Sequence, residues 1–115
     1  MSESDARWTP VLACLPDKLR ARVSRETLEQ LDAYVDLLLD ENQRQNLIAA
    51  NSVAELWTRH IVDGAQILAL GETDRTWCDI GTGPGLPGMV IAILGGTPIT
   101  LNEPRRLRAE FLRRA

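Results

Sequence analysis

The sequence has one lysine, Lys18, one histidine, His60, and two cysteines, Cys14 and Cys78, among 115 residues. Two cysteines cannot build a disulfide framework, and neither has a Cys or His partner at metal-ligand spacing. A single histidine excludes a multi-histidine metal site. Cys78 falls in an apolar, strand-like run, where a buried thiol acts as a small hydrophobe. There is no internal repeat and no low-complexity linker. No apolar run reaches the roughly 18 residues of a membrane span. The longest uncharged stretch, 80–102, is broken by Gly, Pro and Thr. The N-terminus, Met1 to Asp5, is acidic, unlike the basic start of a signal peptide, so a cytoplasmic location is expected. With 44% hydrophobic and 25% charged residues, the chain has the composition of a soluble globular domain.

A global positive charge is also missing. The net charge is −3 and the pI about 5.1, which excludes a nonspecific nucleic-acid binder held by its overall field. The distribution is uneven. Residues 1–101 carry 8 basic and 14 acidic side chains, whereas residues 102–115 carry 5 Arg against 2 Glu.

What is present is a change of pattern along the chain. Residues 1–23 are weakly patterned, with Pro10 and Pro16 punctuating short turns. From Ser24, a candidate N-cap, Leu28, Leu31, Val35, Leu38 and Leu39 recur at helical spacing. That helix should fray over 42–46. Ser52-Val-Ala-Glu55 has the form of a capping box opening a second helix to about Leu70, with Gly71 as a left-handed C-cap. Residues 72–75 read as a polar turn. Then Thr76 to Ile80 reads as a short buried strand, and 81–88 as a loop with four glycines. Met89 to Leu94 reads as a buried helix ended by Gly95 and Gly96, and Pro98 to Asn102 as a second strand. A helix from Arg105 to Ala115 should turn Leu107, Phe111 and Leu112 to the core. Strand, loop, helix, strand and helix imply a parallel sheet.

A glycine loop between strand and helix lets backbone approach a ligand, beside the free N–H groups of a helix start. No Gly-Lys-Ser/Thr follows, so it is not a P-loop. Two registers compete. Gly83, Gly85 and Gly88 satisfy the G-x-G-x-x-G dinucleotide pattern. Asp79, Gly81, Gly83 and Gly85 satisfy another, an acid and then glycines at alternate positions, which resembles the first motif of Rossmann-like S-adenosylmethionine methyltransferases. Glu103 ends the second strand, where an acid accepts hydrogen bonds from ribose hydroxyls in either reading.

The run from Asp79 to Gly88, with its Leu86-Pro87-Gly88 end, resembles the signature of the bacterial small-subunit ribosomal RNA guanine-N7 methyltransferases, once called glucose-inhibited division protein B. Asn46-Leu47-Ile48 is similar to an Asn-Leu-Thr of that family, with Ile48 for Thr. Arg59, His60, Asp63 and Gly64 are similar to an Arg-His-x-x-Asp-Ser motif, with Gly64 for Ser. Glu103 followed by Arg106, Arg108, Phe111, Leu112 and Arg113 resembles the acid and basic helix after the second strand. The resemblance covers about residues 28–115.

It implies an α/β fold, N-terminal helices (1–72) followed by the start of a Rossmann-like methyltransferase sheet (73–115) with two strands present. It also implies methyl transfer to guanine N7 in the RNA of the small ribosomal subunit, with no metal and no membrane. Cofactor contacts to S-adenosylmethionine carry over to Gly81 and Leu86, with Asp79, Gly83, Gly85 and Glu103 from the wider methyltransferase pattern. Arg59, His60 and Asp63 are expected as one polar patch, bracing the cofactor cleft or touching RNA, with no chemical step assigned. A sheet of this class has about seven strands of ~20–30 residues per strand–helix step, so the chain reads as an N-terminal part of such an enzyme. Independent activity is not expected of it, and its unpaired strands should favour self-association. The alternatives are a non-catalytic fragment with little ligand binding and a module binding NAD or FAD.

Overall fold

The computed structural model describes residues 3–71, 76–96 and 98–115. The polar turn expected at 72–75 lies outside them. The N-terminal region, expected as short turns, forms two helices, α1 (Glu3–Ala13) and α2 (Asp17–Arg22). Pro10 lies inside α1 without ending it, because tertiary contacts hold the helix. Trp8, Val11 and Leu15 are buried, and the Trp8 indole N–H donates to Asp32 Oδ1 at 3.0 Å. Arg20 donates to the carbonyls of Leu12 and Leu15 at 3.1 and 2.8 Å, which supplies partners at a helix end that would otherwise lack them. Packing here overrides weak local propensity.

Helix α3 (Arg25–Glu41) starts where the sequence places it: Ser24 Oγ accepts from the Thr27 N–H at 3.1 Å. Leu28, Leu31, Tyr34, Val35 and Leu38 are buried along one face, and Leu39 is half-buried. After Glu41, Asn42 Oδ1 accepts from the N–H groups of Leu47 and Ile48 at 2.9 and 3.0 Å. The polar stretch therefore closes into an ordered turn.

The second expected helix is assembled differently. A 3-10 turn spans Ala50–Ser52, a π-helical segment spans Leu56–Ile61, and only then does α4 (Val62–Leu70) begin. The capping box does not form, because the Glu55 carboxylate pairs with Arg59 at 2.8 Å. Gly71 is not left-handed but extended, with φ −97° and ψ 176°. Glycine is required there for space: a Cβ would lie 2.0 Å from Trp77 Cη2.

Strand β1 (Trp77–Ile80), helix α5 (Gly88–Gly95) and strand β2 (Ile99–Asn102) form the expected parallel unit, with Trp77 opposite Ile99 and Ile80 opposite Asn102. Helix α5 ends on Gly96, left-handed at φ 59°. The strands are not buried on both faces. Trp77, Asp79, Ile99 and Leu101 are half-buried, whereas Cys78, Ile80, Thr100 and Asn102 are exposed. Cys78 is thus an exposed thiol, and Ile80 is 82% exposed. Side chains alternate across a strand, and among the described residues the helices cover one face of this sheet only.

Helix α6 (Arg106–Arg114) buries Phe111 completely, but Leu107, expected in the core, is 54% exposed. Phe111 belongs to one core with Val11, Leu31, Leu38, Leu68 and Val90. Polar contacts fix the rotation of α6. Arg108 donates to the Asn46 carbonyl at 2.7 Å, Gln45 donates to the Leu107 carbonyl at 3.1 Å, and Arg114 donates to Glu41 Oε1 at 3.0 Å.

Glu41 is buried at the end of α3. Hydrogen bonds from Gln45 and then Arg114 hold its carboxyl below the ordinary value of 4.5. A carboxyl that binds its proton less tightly folded than unfolded stabilises fully above the unfolded value, and the effect is lost as pH falls through the folded one. Helix α6 should therefore loosen as pH drops below that ordinary value. In acid titrations followed by circular dichroism, Glu41→Gln should show a shallower loss of helix than the wild type. Superimposable acid curves would contradict the assignment.

Candidate functional site

The site is built where β1 and β2 end. Both the Gly81 and Thr82 N–H groups donate to the Asn102 carbonyl, at 2.8 and 3.1 Å, so β2 carries the loop across its own end. Thr82 is buried, and its carbonyl accepts from the Gly85 and Leu86 N–H groups at 3.0 and 3.3 Å. Gly81, Gly83 and Gly85 have φ of 70°, 59° and 102°. Gly85 needs its glycine most clearly, since a Cβ would meet Met89 Cγ at 2.4 Å in addition to the positive φ.

Two acids hold this loop from opposite sides. Asp79 Oδ2 accepts from Thr82 Oγ1 at 2.6 Å and from the Gly88 N–H at 3.0 Å. Glu103 Oε1 accepts from the Gly83 N–H at 3.0 Å, and its Oε2 from the Arg105 N–H at 2.9 Å. The Glu103 side chain is 3% exposed. The first amides of α5 are thus already engaged. Gly88 donates to Asp79, and Met89 donates to the Gly85 carbonyl at 2.6 Å. A carboxylate occupies the helix N-terminus, where a phosphate would sit in a dinucleotide site.

Asp79, Gly81, Gly83, Gly85, Leu86 and Glu103 are therefore brought together. Of Arg59, His60 and Asp63, His60 alone lines the groove beside that loop. The groove measures about 270 Å³, and Leu47, Ile48, Ser52, Pro84 and Leu86 line it as well. Arg59 is exposed and paired with Glu55, and Asp63 is exposed in the first turn of α4. Arg59 and His60 lie in the π-helical turn through 56–61 and Asp63 in α4, so the three do not share one regular α-helix.

The two departures from the motifs have structural places. Ile48 lines the groove. Gly64 is buried at the contact of α4 with α5, where a Cβ would fall 2.8 Å from Val90 Cγ1. Sequence reasoning missed two residues. Thr82 bridges Asp79 to the loop's interior. Tyr34, buried on α3, donates its hydroxyl to the Pro84 carbonyl at 2.7 Å. Its position three residues after Leu31, on the apolar face, was the available signal. Among the described residues, no helix is long and apolar enough to cross a membrane.

A family model described as rRNA small subunit methyltransferase G matches residues 27–115. The ribosomal RNA small subunit methyltransferase G of Sphingopyxis alaskensis is 50% identical over 92 residues, 78% of this chain and 40% of that protein. The protein of the same name from Zymomonas mobilis is 47% identical over 102 residues, 81% of this chain and 46% of that protein. One from Rhodopseudomonas palustris strain HaA2 is 43% identical, covering 96% of this chain and 51% of that protein. The chain thus spans about half the length of the curated relatives it matches.

Proposed function

The chain belongs to the rRNA small subunit methyltransferase G family, and from that premise we propose that its glycine loop binds S-adenosylmethionine for methylation of a guanine N7 in small-subunit ribosomal RNA. The observation that carries the reading is the carboxylate at the start of α5. Asp79 occupies the amide that a pyrophosphate would need, and Glu103 adds a second acid across the loop. Two carboxylates repel a phosphate and suit a ligand with an ammonium group and ribose hydroxyls.

The residues fit that ligand in named ways. Both hydrogen bonds to Asp79 fall on Oδ2, which leaves Oδ1 for the cationic tail. A carboxylate oxygen accepts more than one hydrogen bond, so Glu103 can hold Gly83 and a ribose hydroxyl together. Gly81, Gly83 and Gly85 let backbone lie against the ligand, and Leu86 walls the cleft. When bound, the cofactor supplies an electrophilic methyl group on a sulfonium. Guanine N7 presents a lone pair and no proton, so no side chain here has to act as a general base. The chain's contribution is then proximity and orientation, with the groove of Ile48, His60, Pro84 and Leu86 beside the loop for the base.

The test is calorimetry of this chain with S-adenosylmethionine and, separately, NAD. Asp79→Ala removes the acceptor for a charged group and leaves the Gly88 N–H and Thr82 hydroxyl without it. Affinity for S-adenosylmethionine should fall roughly 10- to 100-fold, from ~1.5–3 kcal/mol for a charge-assisted bond. Preferential NAD binding, or unchanged affinity in the variant, would sink the reading. For the activity, transfer of labelled methyl to isolated small ribosomal subunits by a polypeptide carrying this sequence should yield N7-methylguanine.

A further inference from the structure

We propose that Tyr34 is a positioning residue for the cofactor loop, its hydroxyl pinning the Pro84 carbonyl so that the turn between Gly83 and Gly85 stays in its ligand-ready form; the inference rests on the loop being the cofactor site. Tyr34 Oη lies 2.7 Å from the Pro84 oxygen, across 50 residues of sequence. Among the described residues, the loop's other hydrogen bonds are all local to the strand–loop–helix–strand unit. They run to Asn102, Thr82, Gly85, Asp79 and Glu103. Tyr34 is the hydrogen-bonded tie from the N-terminal helices.

The place of that tie matters. Pro84 sits between two glycines of positive φ, where the backbone has the widest choice of conformations. The acids hold the loop at Gly83 and Gly88, on either side of this point. Pro84 also lines the groove with His60 and Leu86. The same residue is thus fixed through its carbonyl on one side while it forms a wall of the groove. Packing alone does not call for the hydroxyl. Tyr34 is 4% exposed among Leu31, Val35 and Leu38, and phenylalanine would fill that space. Burial pushes the Tyr34 hydroxyl up from its ordinary range, so it stays a proton donor at neutral pH.

The decisive variant is Tyr34→Phe, which keeps the ring and removes the bond. Two readouts are taken on the same chain. The first is amide hydrogen exchange at Gly85 and Leu86, compared with Leu31 and Leu38 in α3. The second is calorimetric affinity for S-adenosylmethionine. We expect loop amides to exchange about 10-fold faster with α3 amides unchanged, and affinity to fall by a similar factor, as loss of one buried hydrogen bond implies. Equal acceleration in loop and helix would reduce Tyr34 to a general stabiliser and overturn the proposal. Unchanged loop exchange would overturn it as well, and so would unchanged affinity in a chain that binds. If the wild-type chain binds no S-adenosylmethionine while loop exchange responds selectively, the strap stands and the cofactor reading falls.

Discussion

Phe111→Ala should destabilise the chain by about 3–5 kcal/mol, the range for removing a fully buried aromatic ring. Phe111 is 0% exposed and shares the core with Val11, Leu31 and Val90. Native domains hold only ~5–15 kcal/mol in total, so the loss would be a large fraction. The consequence reaches the site. Helix α6 begins at Arg106, and its N-cap residue Arg105 donates its N–H to Glu103 Oε2, so an undocked α6 releases one side of the loop's clamp. Thermal unfolding of the variant beside Leu107→Ala provides the control, because Leu107 is 54% exposed and its truncation should stay within about 0.5 kcal/mol. Equal shifts for the two variants would contradict the placement of α6.

Gly88→Ala should lower both the stability of the chain and its affinity for the cofactor. The new Cβ would sit 2.2 Å from Leu101 Cδ2, 2.8 Å from Asp79 Oδ2 and 3.1 Å from Thr82 Oγ1. Overpacking of this kind costs about 1–3 kcal/mol. Here the atoms it meets are those that organise the loop. Relief requires the Leu101 side chain to shift and the Asp79 carboxylate to retreat, and retreat of the carboxylate weakens its bond from the Gly88 N–H. The expected result is a melting temperature lowered by that overpacking cost, together with S-adenosylmethionine binding weakened about 10-fold or more, on the order of one charge-assisted bond to the displaced Asp79 carboxylate. Wild-type affinity in Gly88→Ala would mean that the junction of β1 and α5 is not part of the binding site. The two variants separate the effects: Phe111→Ala acts through α6 and the core, Gly88→Ala within the loop itself.

The parts of the fold that the sequence made legible are those set by neighbours in the chain. Ser24 and the leucines after it specify α3 because a cap and a 3.6-residue period involve residues a turn apart. The strand–loop–helix–strand order was readable for the same reason, as were Asp79 and Glu103 as the loop's acids. The misread parts involve a choice of partner. Glu55 could turn back to Ser52 or forward to Arg59, and it turns forward. Gly71 is glycine because Trp77 lies against it, which no turn rule reports. Cys78 and Ile80 have the composition of a buried strand, yet among the described residues nothing covers them and both are exposed.

By itself, the sequence determined the kind of site: a glycine loop flanked by two acids between a strand and a helix, in the family to which the chain belongs. Tertiary structure alone decided how that site is held. It set Asp79 on the Gly88 amide and Glu103 on the Gly83 amide, brought His60 to the groove while leaving Arg59 and Asp63 outside it, and joined Tyr34 of α3 to Pro84 of the loop. The physical reason is one of range. Periodicity, caps and turn glycines act within a few residues along the chain, whereas burial and hydrogen-bond partners arise between segments that meet only when the core forms.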